Sequence, residues 1–254
     1  MVESERNFYL AAQQKGTRAA FLDFFADDAI IFRPGPVNGK EVWRNRKMDI
    51  DLLWGSTMAA VSRSGDLGYD AGPSKWRLDK TKEEWTYANY ISIWKKAKDG
   101  SWKVAVDCAT ENPRPDKEPG PLSLRQPSVN SNNAKPKPFS EAQREFVTAA
   151  KGDFARAVGQ FSADEVRLYR DGAFPAAGKE SVVQVASTKS GGLTLETMKT
   201  EVSSSVDLAY YYGKYFTDAA GKPSQGHFLQ IWQTNSAGAW ELVLDWQQPL
   251  PGSH

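Results

Sequence analysis

The spacing of apolar residues along the chain changes from that of helices to that of strands, and this change happens twice. Near the N-terminus, Phe21, Phe24 and Phe25 recur at the spacing of one helix face. From residue 57 onward, β-rich segments are separated by short polar turns such as Asp99-Gly100. Helices followed by an antiparallel meander predict an α+β fold, with the helices packed on a curved sheet.

The first half of the chain is predicted to hold three helices and five strands. Ser4 is the expected N-cap of the first helix, and Gly16 is its expected end. The predicted helices cover residues 5–15, the segment from Thr17 to the acidic pair at 27–28, and residues 39 to about 53. The predicted strands cover residues 29–33, 57–63, 67–78, 85–96 and 101–110, with a polar turn at 79–82.

A hairpin that contains two tryptophans occurs twice. Residues 90–107 and 228–245 align without a gap. The positions that are identical in the two hairpins are Ile93, Trp94, Gly100, Trp102 and Asp107, which match Ile231, Trp232, Gly238, Trp240 and Asp245. This repetition indicates that the chain contains two copies of one domain. Tryptophans at repeated strand positions are expected to pack in each core.

A proline-rich segment separates the two copies. Residues 113–139 contain seven of the fourteen prolines, together with serine, asparagine and lysine and few apolar residues. Such a composition is typical of a semi-extended linker. We therefore predict a first domain at residues 1–112, a linker at 113–139 and a second domain at 140–254.

A balanced charge and a single cysteine limit the classes of partner. The chain has 32 basic and 31 acidic residues, mixed along its length, so neither nucleic acid nor an anionic membrane is expected. Cys108 is the only cysteine, which excludes an intramolecular disulfide; we expect neither a metal nor another cofactor. No apolar run approaches the roughly 20 residues that cross a bilayer. The compartment stays open between the cytoplasm and an export route whose signal peptide is absent.

Several motifs resemble the SnoaL-like branch of the nuclear-transport-factor-2-like superfamily. They are residues 25–32 followed by Pro34-Gly35 and 39–41, and then residues 64–69, 90–94 and 99–103. The second copy resembles the same family through the repeat. The resemblance implies tandem cone-shaped α+β domains, each with helices and a bent sheet around a pocket. Relatives include ketosteroid isomerase, polyketide cyclases and dehydratases, so the resemblance implies the fold more firmly than a reaction.

The resemblance also implies where a catalytic base would lie. In ketosteroid isomerase-like enzymes, a carboxylate at the end of the first short strand takes a proton from the substrate. Arg33 occupies that position in the first copy and Arg170 occupies it in the second. Arginine stays protonated and cannot act as this base. Asp171 follows one residue later and is a weak candidate for the base, because loop aspartates usually stabilise turns.

Each copy pairs one of these arginines with an aspartate at the end of its last strand. The pairs are Arg33 with Asp107 and Arg170 with Asp245. One hypothesis is that the aspartate orients the arginine, whose remaining donors bind the carboxylate or another oxyanion of a ligand. The alternative is a structural salt bridge or a pair of solvated charges, which is the more common role of ion pairs.

Further candidates come from the aromatic and polar residues of the strands. His227 aligns with Asn89; such a lone histidine is usually a hydrogen-bonded core or rim residue, although a role as acid or base is possible. No metal signature surrounds it. The residues predicted to line the two pockets, besides the arginine–aspartate pairs, are Phe32, Trp54, Asn89 and Tyr90 in the first copy and Tyr169 and His227 in the second.

These features leave three hypotheses about function. The first is that one or both pockets bind a small hydrophobic or carboxylate-bearing molecule without catalysis. The second is an isomerase, cyclase or dehydratase that acts on a hydrophobic carbonyl compound. The third is a structural or protein-interaction module whose pockets are filled by its own side chains. Pairing of the two domains within the chain, or a homodimer, is expected because relatives of this fold commonly dimerise.

Overall fold

The computed structural model describes residues 1–78, 81, 83–126, 137–188, 191–219 and 222–252. Most of the predicted turn at 79–82, residues 127–136 of the predicted linker and His254 lie outside these residues. The chain divides into two compact units. Unit 1 comprises Met1–Val61 and Gly65–Gln126, and unit 2 comprises Ser62–Ser64 and Pro127–His254.

All three helix predictions for unit 1 need correction. The second helix ends at Phe24 and β1 begins at Phe25, so the acidic pair at 27–28 lies in a strand. The first helix begins at Val2 without a side-chain cap, so Ser4 lies inside it rather than at its N-cap. The third helix ends at Asn45, because Arg46 already adopts extended backbone angles. Leu52 and Trp54 then follow the period of a strand rather than that of a helix. The helices are α1 Val2–Lys15, α2 Thr17–Phe24 and α3 Gly39–Asn45.

The sheet of unit 1 is antiparallel through its long strands and gains parallel pairs at β1 and β8. Its order is β2-β1-β7-β6-β5-β4-β8, and β3 also pairs with β5. Strand β1 runs parallel to β7, and β8, which lies in the predicted linker, runs parallel to β4. The strands are β1 Phe25–Phe32, β2 Pro36–Asn38, β3 Asp51–Trp54, β4 Met58–Val61, β5 Leu67–Arg77, β6 Thr86–Lys96, β7 Trp102–Asn112 and β8 Ser123–Arg125.

Unit 2 repeats this order of elements, and its described sheet has six strands where that of unit 1 has eight. The sheet order is β10-β9-β14-β13-β12-β11, with β9 parallel to β14. The helices are α4 Phe139–Gly152, α5 Phe154–Phe161 and α6 Lys179–Ser187. The strands are β9 Ser162–Arg170, β10 Ala176–Ala177, β11 Leu193–Val202, β12 Leu208–Ala219, β13 Lys222–Thr234 and β14 Trp240–Pro249. Two separate sheets, each with its own helices, confirm the predicted α+β class.

Each unit has an aromatic core between its helices and its sheet. Trp94 and Trp232, the repeated tryptophans of the two hairpins, are fully buried. The Phe8 ring of α1 packs edge-on against Trp94, with ring centres 6.1 Å apart. The Phe146 ring of α4 does the same against Trp232 at 5.2 Å. The repeated tryptophans therefore take the packing role that the sequence predicts. Among the described residues, no helix has the length and apolar character needed to cross a membrane.

Candidate acid–base site

A row of three side chains crosses the middle of the unit 1 sheet on the face covered by the helices. Ser92 of β6 pairs with Asp70 of β5 on one side and with Asp107 of β7 on the other. Laterally paired residues point to the same face of a sheet, so both carboxyl groups face the core that contains Trp94. Sequence alternation does not reveal Asp70, because β5 is buried on both faces from Leu67 to Gly72.

Asp70 is fully enclosed and accepts hydrogen bonds from three side chains. Its Oδ2 accepts from the Tyr90 hydroxyl and from Ser56 Oγ, each at 2.7 Å. Its Oδ1 accepts from Trp94 Nε1 at 2.8 Å. These donors hold the carboxyl group in one orientation, and they favour its ionised form.

Glu5 places a second carboxyl group beside the same tyrosine. Glu5 lies on the buried face of α1, three residues before Phe8. Its Oε1 accepts from Trp54 Nε1 and, at 3.3 Å, from the Tyr90 hydroxyl. Its Oε2 is buried and has no hydrogen-bond partner among the residues that the structure describes. Tyr90 thus lies between two carboxyl groups, one of which keeps an unused oxygen.

Burial and mutual repulsion favour the protonated forms of these acids. Burial raises the pKa of Glu5 well above its ordinary value, and the charge of Asp70 raises it further. Burial raises the pKa of Asp70 to about 6, against the effect of its three donors. Burial and the neighbouring carboxylates also raise the pKa of Tyr90. Burial and the charge of Asp70 thus both favour the protonated form of Glu5, and the Tyr90 hydroxyl connects the two carboxyl groups.

Asp107 is the third carboxyl group, at the other end of the row. It is partly exposed, and its Oδ1 accepts a hydrogen bond from Ser92 Oγ at 3.0 Å. Burial raises the pKa of Asp107 to about 7, with a contribution from Asp70, while the charge of Arg33 acts in the opposite direction. A carboxyl group with a pKa near neutrality can both accept and return a proton at physiological pH.

Unit 2 has the same row of positions, filled by a closed hydrogen-bond network. Gln230 lies between Tyr211 and Asp245, as Ser92 lies between Asp70 and Asp107. The Tyr211 hydroxyl donates to Gln230 Oε1 at 2.5 Å, and Gln230 Nε2 donates to Asp245 Oδ2 at 2.6 Å. Trp232 Nε1 also donates to Gln230 Oε1, at 3.2 Å. The long glutamine side chain thus joins both of its neighbours directly.

The two predicted arginine–aspartate pairs differ in the structure. In unit 2, Arg170 Nη2 lies 2.6 Å from Asp245 Oδ1, and both side chains are buried or nearly so. In unit 1, Arg33 is exposed, forms no ion pair with the described residues and acts on Asp107 only through its charge. The arrangement in unit 2 corresponds to a structural salt bridge, whereas Arg33 keeps its donors available.

The remaining predicted site residues lie away from this face. Phe32 and Tyr169 each follow a residue of the helix-side core, Ile31 and Leu168, and so point to the opposite face. Asn89 and His227 also lie on that opposite face, because they precede Tyr90 and Phe228. Asp171 is exposed in the turn after β9. Of the predicted residues in unit 1, the structure brings Trp54, Tyr90 and Asp107 together.

The groups that sequence reasoning missed are Glu5, Ser56, Asp70 and Ser92. Glu5 carries a signal that could have revealed it, because an acidic residue at helical spacing from Phe8 and Ala12 lies on an apolar face. Asp70 and Ser92 carry no comparable signal on their own. The described residues contain no cluster of histidine, cysteine or acidic side chains arranged to hold a metal ion.

Comparison with known proteins concerns the fold. No family model and no curated protein matches the sequence. Solved structures do match, and these have the ketosteroid isomerase-like, NTF2-like fold. A ketosteroid isomerase-like protein from Erwinia carotovora atroseptica is 19% identical, with 43% of this chain and 92% of that one covered at a TM-score of 0.35.

Two further structures have similar coverage. An LEH-like epoxide hydrolase from M. tuberculosis is 11% identical, with 45% of this chain and 83% of that chain covered at a TM-score of 0.36. A calcium/calmodulin-dependent protein kinase II association domain from Xanthomonas campestris is 13% identical, with 50% and 95% covered at a TM-score of 0.38. Likeness at this level of identity concerns the fold alone.

Proposed function

We propose that unit 1 binds a small, largely apolar carbonyl compound and moves a proton within it, as isomerases do. One observation carries this proposal: three carboxyl groups with raised pKa values lie on the helix-covered side of one sheet, Asp70 and Asp107 on its strands and Glu5 on α1. Acids and bases whose environments separate their pKa values are the usual equipment for proton transfer at neutral pH. Their positions differ from the strand end at which the family resemblance implies a base.

Each carboxyl group has a distinct role in this mechanism. Asp107, whose pKa is about 7, is the base that takes a proton from the carbon next to the substrate carbonyl. Glu5, whose pKa is raised by burial and by the charge of Asp70, donates a hydrogen bond from its protonated carboxyl group to the carbonyl oxygen as negative charge develops there. Asp70 and Tyr90 position Glu5 and can pass a proton to it.

The spacing of the row suits a substrate of modest size. Asp70 and Asp107 are two strands apart, which corresponds to roughly 10 Å between their backbones. Side chains that extend inward from the sheet and from α1 shorten the separation of the reacting groups. The aromatic residues around the row, Trp54, Tyr90 and Trp94, offer apolar surface to the remainder of the molecule.

Unit 2 fits a different role, that of a structural module. Its equivalent row consists of Tyr211, Gln230 and Asp245, whose polar groups bond to one another and to Arg170. A network satisfied from within gives rigidity and leaves little for a ligand to bond. The hypothesis of a non-catalytic module therefore applies best to this half of the chain.

Binding without catalysis is the second candidate for unit 1. It is favoured by Arg33, which is exposed beside Asp107 and has no ion-pair partner among the described residues. An arginine in this position can hold a ligand whether or not a proton is transferred. The same experiment separates the two candidates.

The experiment follows exchange of the protons next to the carbonyl group in a panel of hydrophobic ketones dissolved in D₂O, measured by mass spectrometry. The wild-type chain is expected to accelerate deuterium uptake by at least one ketone. Asp107→Asn is expected to slow the catalysed exchange by about 10²-fold or more, the usual contribution of a general base. Glu111→Gln, an exposed change on the same strand, is the matched control and should leave the rate unchanged.

Exchange that persists in Asp107→Asn would contradict the role of Asp107 as the base. A thermal shift with the same ketones but no exchange above buffer would support binding without catalysis. Neither shift nor exchange with any member of the panel would contradict both candidates.

A further inference from the structure

Two arginines of unit 1 lack a carboxylate partner. The Arg33 side chain makes neither an ion pair nor a hydrogen bond with any residue that the structure describes, and it is exposed at the end of β1. Arg46 follows α3 and also forms no ion pair with the described residues. A charged arginine without a partner is an available donor for an anionic group, because its guanidinium always stays protonated.

The fold places both arginines at one end of the helix-side core. Ile31 and Trp43 both belong to this core. Arg33 comes directly after β1, in which Ile31 pairs with Asp107 of β7, so the chain places Arg33 near the Asp107 end of the row. Arg46 follows Trp43 by three residues, and its guanidinium lies over the Trp43 ring, with Cζ 5.2 Å from the ring centre.

Two contacts hold the side chain of Arg46 in this position. Its Nε donates to the Met48 carbonyl oxygen at 3.1 Å, while the ring of Trp43 supports its planar face. Trp43 is itself buried and packs on Phe21, with ring centres 4.1 Å apart. The two Nη atoms of Arg46 form no hydrogen bond with the residues that the structure describes.

The charges of the two arginines act on each other and on Asp107. The pKa of Arg46 is lowered, first by burial and then by the positive charge of Arg33. Arg33 likewise opposes the rise in the pKa of Asp107. Arg33 is thus within electrostatic reach both of Arg46 and of the carboxyl group at the end of the row.

The local charge balance suits one negative group. Asp49 offsets part of the charge of Arg46, and its Oδ1 already accepts hydrogen bonds from the backbone N–H groups of Arg18 and Ile50. Asp107 is only partly ionised near neutral pH. Roughly one positive charge is therefore left without compensation, which matches a carboxylate better than a doubly charged phosphate.

We infer that Arg33 and Arg46 form a subsite for a single carboxylate of the substrate, beside the carboxyl row of unit 1. The substrate class is then a hydrophobic keto acid, held by its carboxylate at the arginines while its carbonyl-bearing part reaches Asp107 and Glu5. Guanidinium groups match a carboxylate through paired N–H donors. This assignment rests on the proposed function of unit 1 and names the chemical class of its substrate.

Unit 2 differs from unit 1 at the first of these arginines. Its equivalent arginine, Arg170, is held by Asp245 at 2.6 Å, whereas Arg33 forms no ion pair with the residues that the structure describes. The guanidinium of Arg170 is therefore already engaged within the protein.

Calorimetric titration of the full chain with benzoylpropionate and with its methyl ester tests the subsite. The two probes share the aryl ketone and differ in the carboxylate. The free acid is expected to bind the wild-type chain about tenfold more tightly than the ester, the advantage that charge-assisted hydrogen bonds provide. Arg33→Gln and Arg46→Gln should each remove this advantage without changing the affinity of the ester. Lys47→Gln, which removes a neighbouring exposed cation, is the matched control and should keep it.

Equal affinities of acid and ester for the wild-type chain would overturn the subsite while leaving the hydrophobic site intact. Failure of both probes to bind would instead count against the proposed function on which the subsite rests. Inorganic phosphate is a third probe, and tighter binding of phosphate than of the acid would overturn the assignment to a carboxylate. Arg33→Gln removes no contact within the protein, so it remains informative even if Arg46→Gln impairs folding.

Discussion

The same three sheet positions are filled in opposite ways in the two units. In unit 2, Gln230 bridges Tyr211 and Asp245, so that each of these buried polar groups has a partner. In unit 1, Ser92 reaches only Asp107, and Asp70 is left to form a separate cluster with Glu5. One scaffold thus carries a directly bridged row in one copy and, in the other, separate acids that include a buried Glu5 oxygen without a hydrogen-bond partner among the described residues. Functional sites are commonly the places where a protein gives up local stability in this way.

The comparison predicts its largest effect at the two equivalent aspartates. Asp245→Ala leaves the Arg170 charge and the Gln230 amide without their partner, so we expect the free energy of unfolding to fall by about 3–5 kcal/mol. Asp107→Ala removes a poorly compensated acid and should cost less than about 1 kcal/mol at pH 8. Urea unfolding of both variants measures the difference. Equal losses would show that the two networks are equivalent.

A second contrast concerns the pKa values of two aspartates of unit 1 in the folded and the unfolded chain. Asp70 and Asp107 have pKa values of about 6 and about 7 in the folded chain, above the value of about 4 that aspartate has when unfolded. Between these values the folded state binds more protons than the unfolded state. The free energy of unfolding should therefore fall as pH rises from about 4 to 7, by roughly 2–3 kcal/mol for each of the two aspartates.

Asp107→Asn isolates this effect. The variant should match the wild type at pH 4 and exceed it in stability at pH 8, because it no longer loses stabilisation as pH rises. Glu111→Gln, on the same strand but exposed, should follow the wild type at every pH. Thermal unfolding at a series of pH values provides the readout. A constant difference between Asp107→Asn and wild type would place the pKa of Asp107 at its ordinary value.

The repeated hairpin made most of the fold predictable. Trp94 and Trp232 pack where their repetition indicates, and the α+β order follows from the two hydrophobic periods. The end of the third helix was not predictable by the same means. Residues 46–50, between this helix and β3, contain no proline or glycine to mark the change. Local spacing is ambiguous wherever helix and strand patterns overlap over a few residues.

The site was harder to predict from the sequence than the fold. Tyr90 and Asp107 could be proposed from the hairpin, but their partners come from α1 and β5, which lie far from the hairpin in sequence. Because both faces of β5 are buried, alternation cannot distinguish Asp70 from its neighbours. The contrast between units is equally hidden, since exchanging Asp70 for Tyr211 and Ser92 for Gln230 changes the chemistry while the register is kept.

The most direct test of the comparison is a pH titration of the side-chain carboxyl groups of the full chain, followed by ¹³C NMR. Asp70→Asn, Asp107→Asn and Glu5→Gln assign the signals of unit 1. We expect apparent pKa values of about 7 for Asp107 and about 6 for Asp70, and a pKa of Glu5 well above its ordinary value. Three signals that all titrate near the ordinary value of about 4 would contradict the assignment of unit 1 as an acid–base domain.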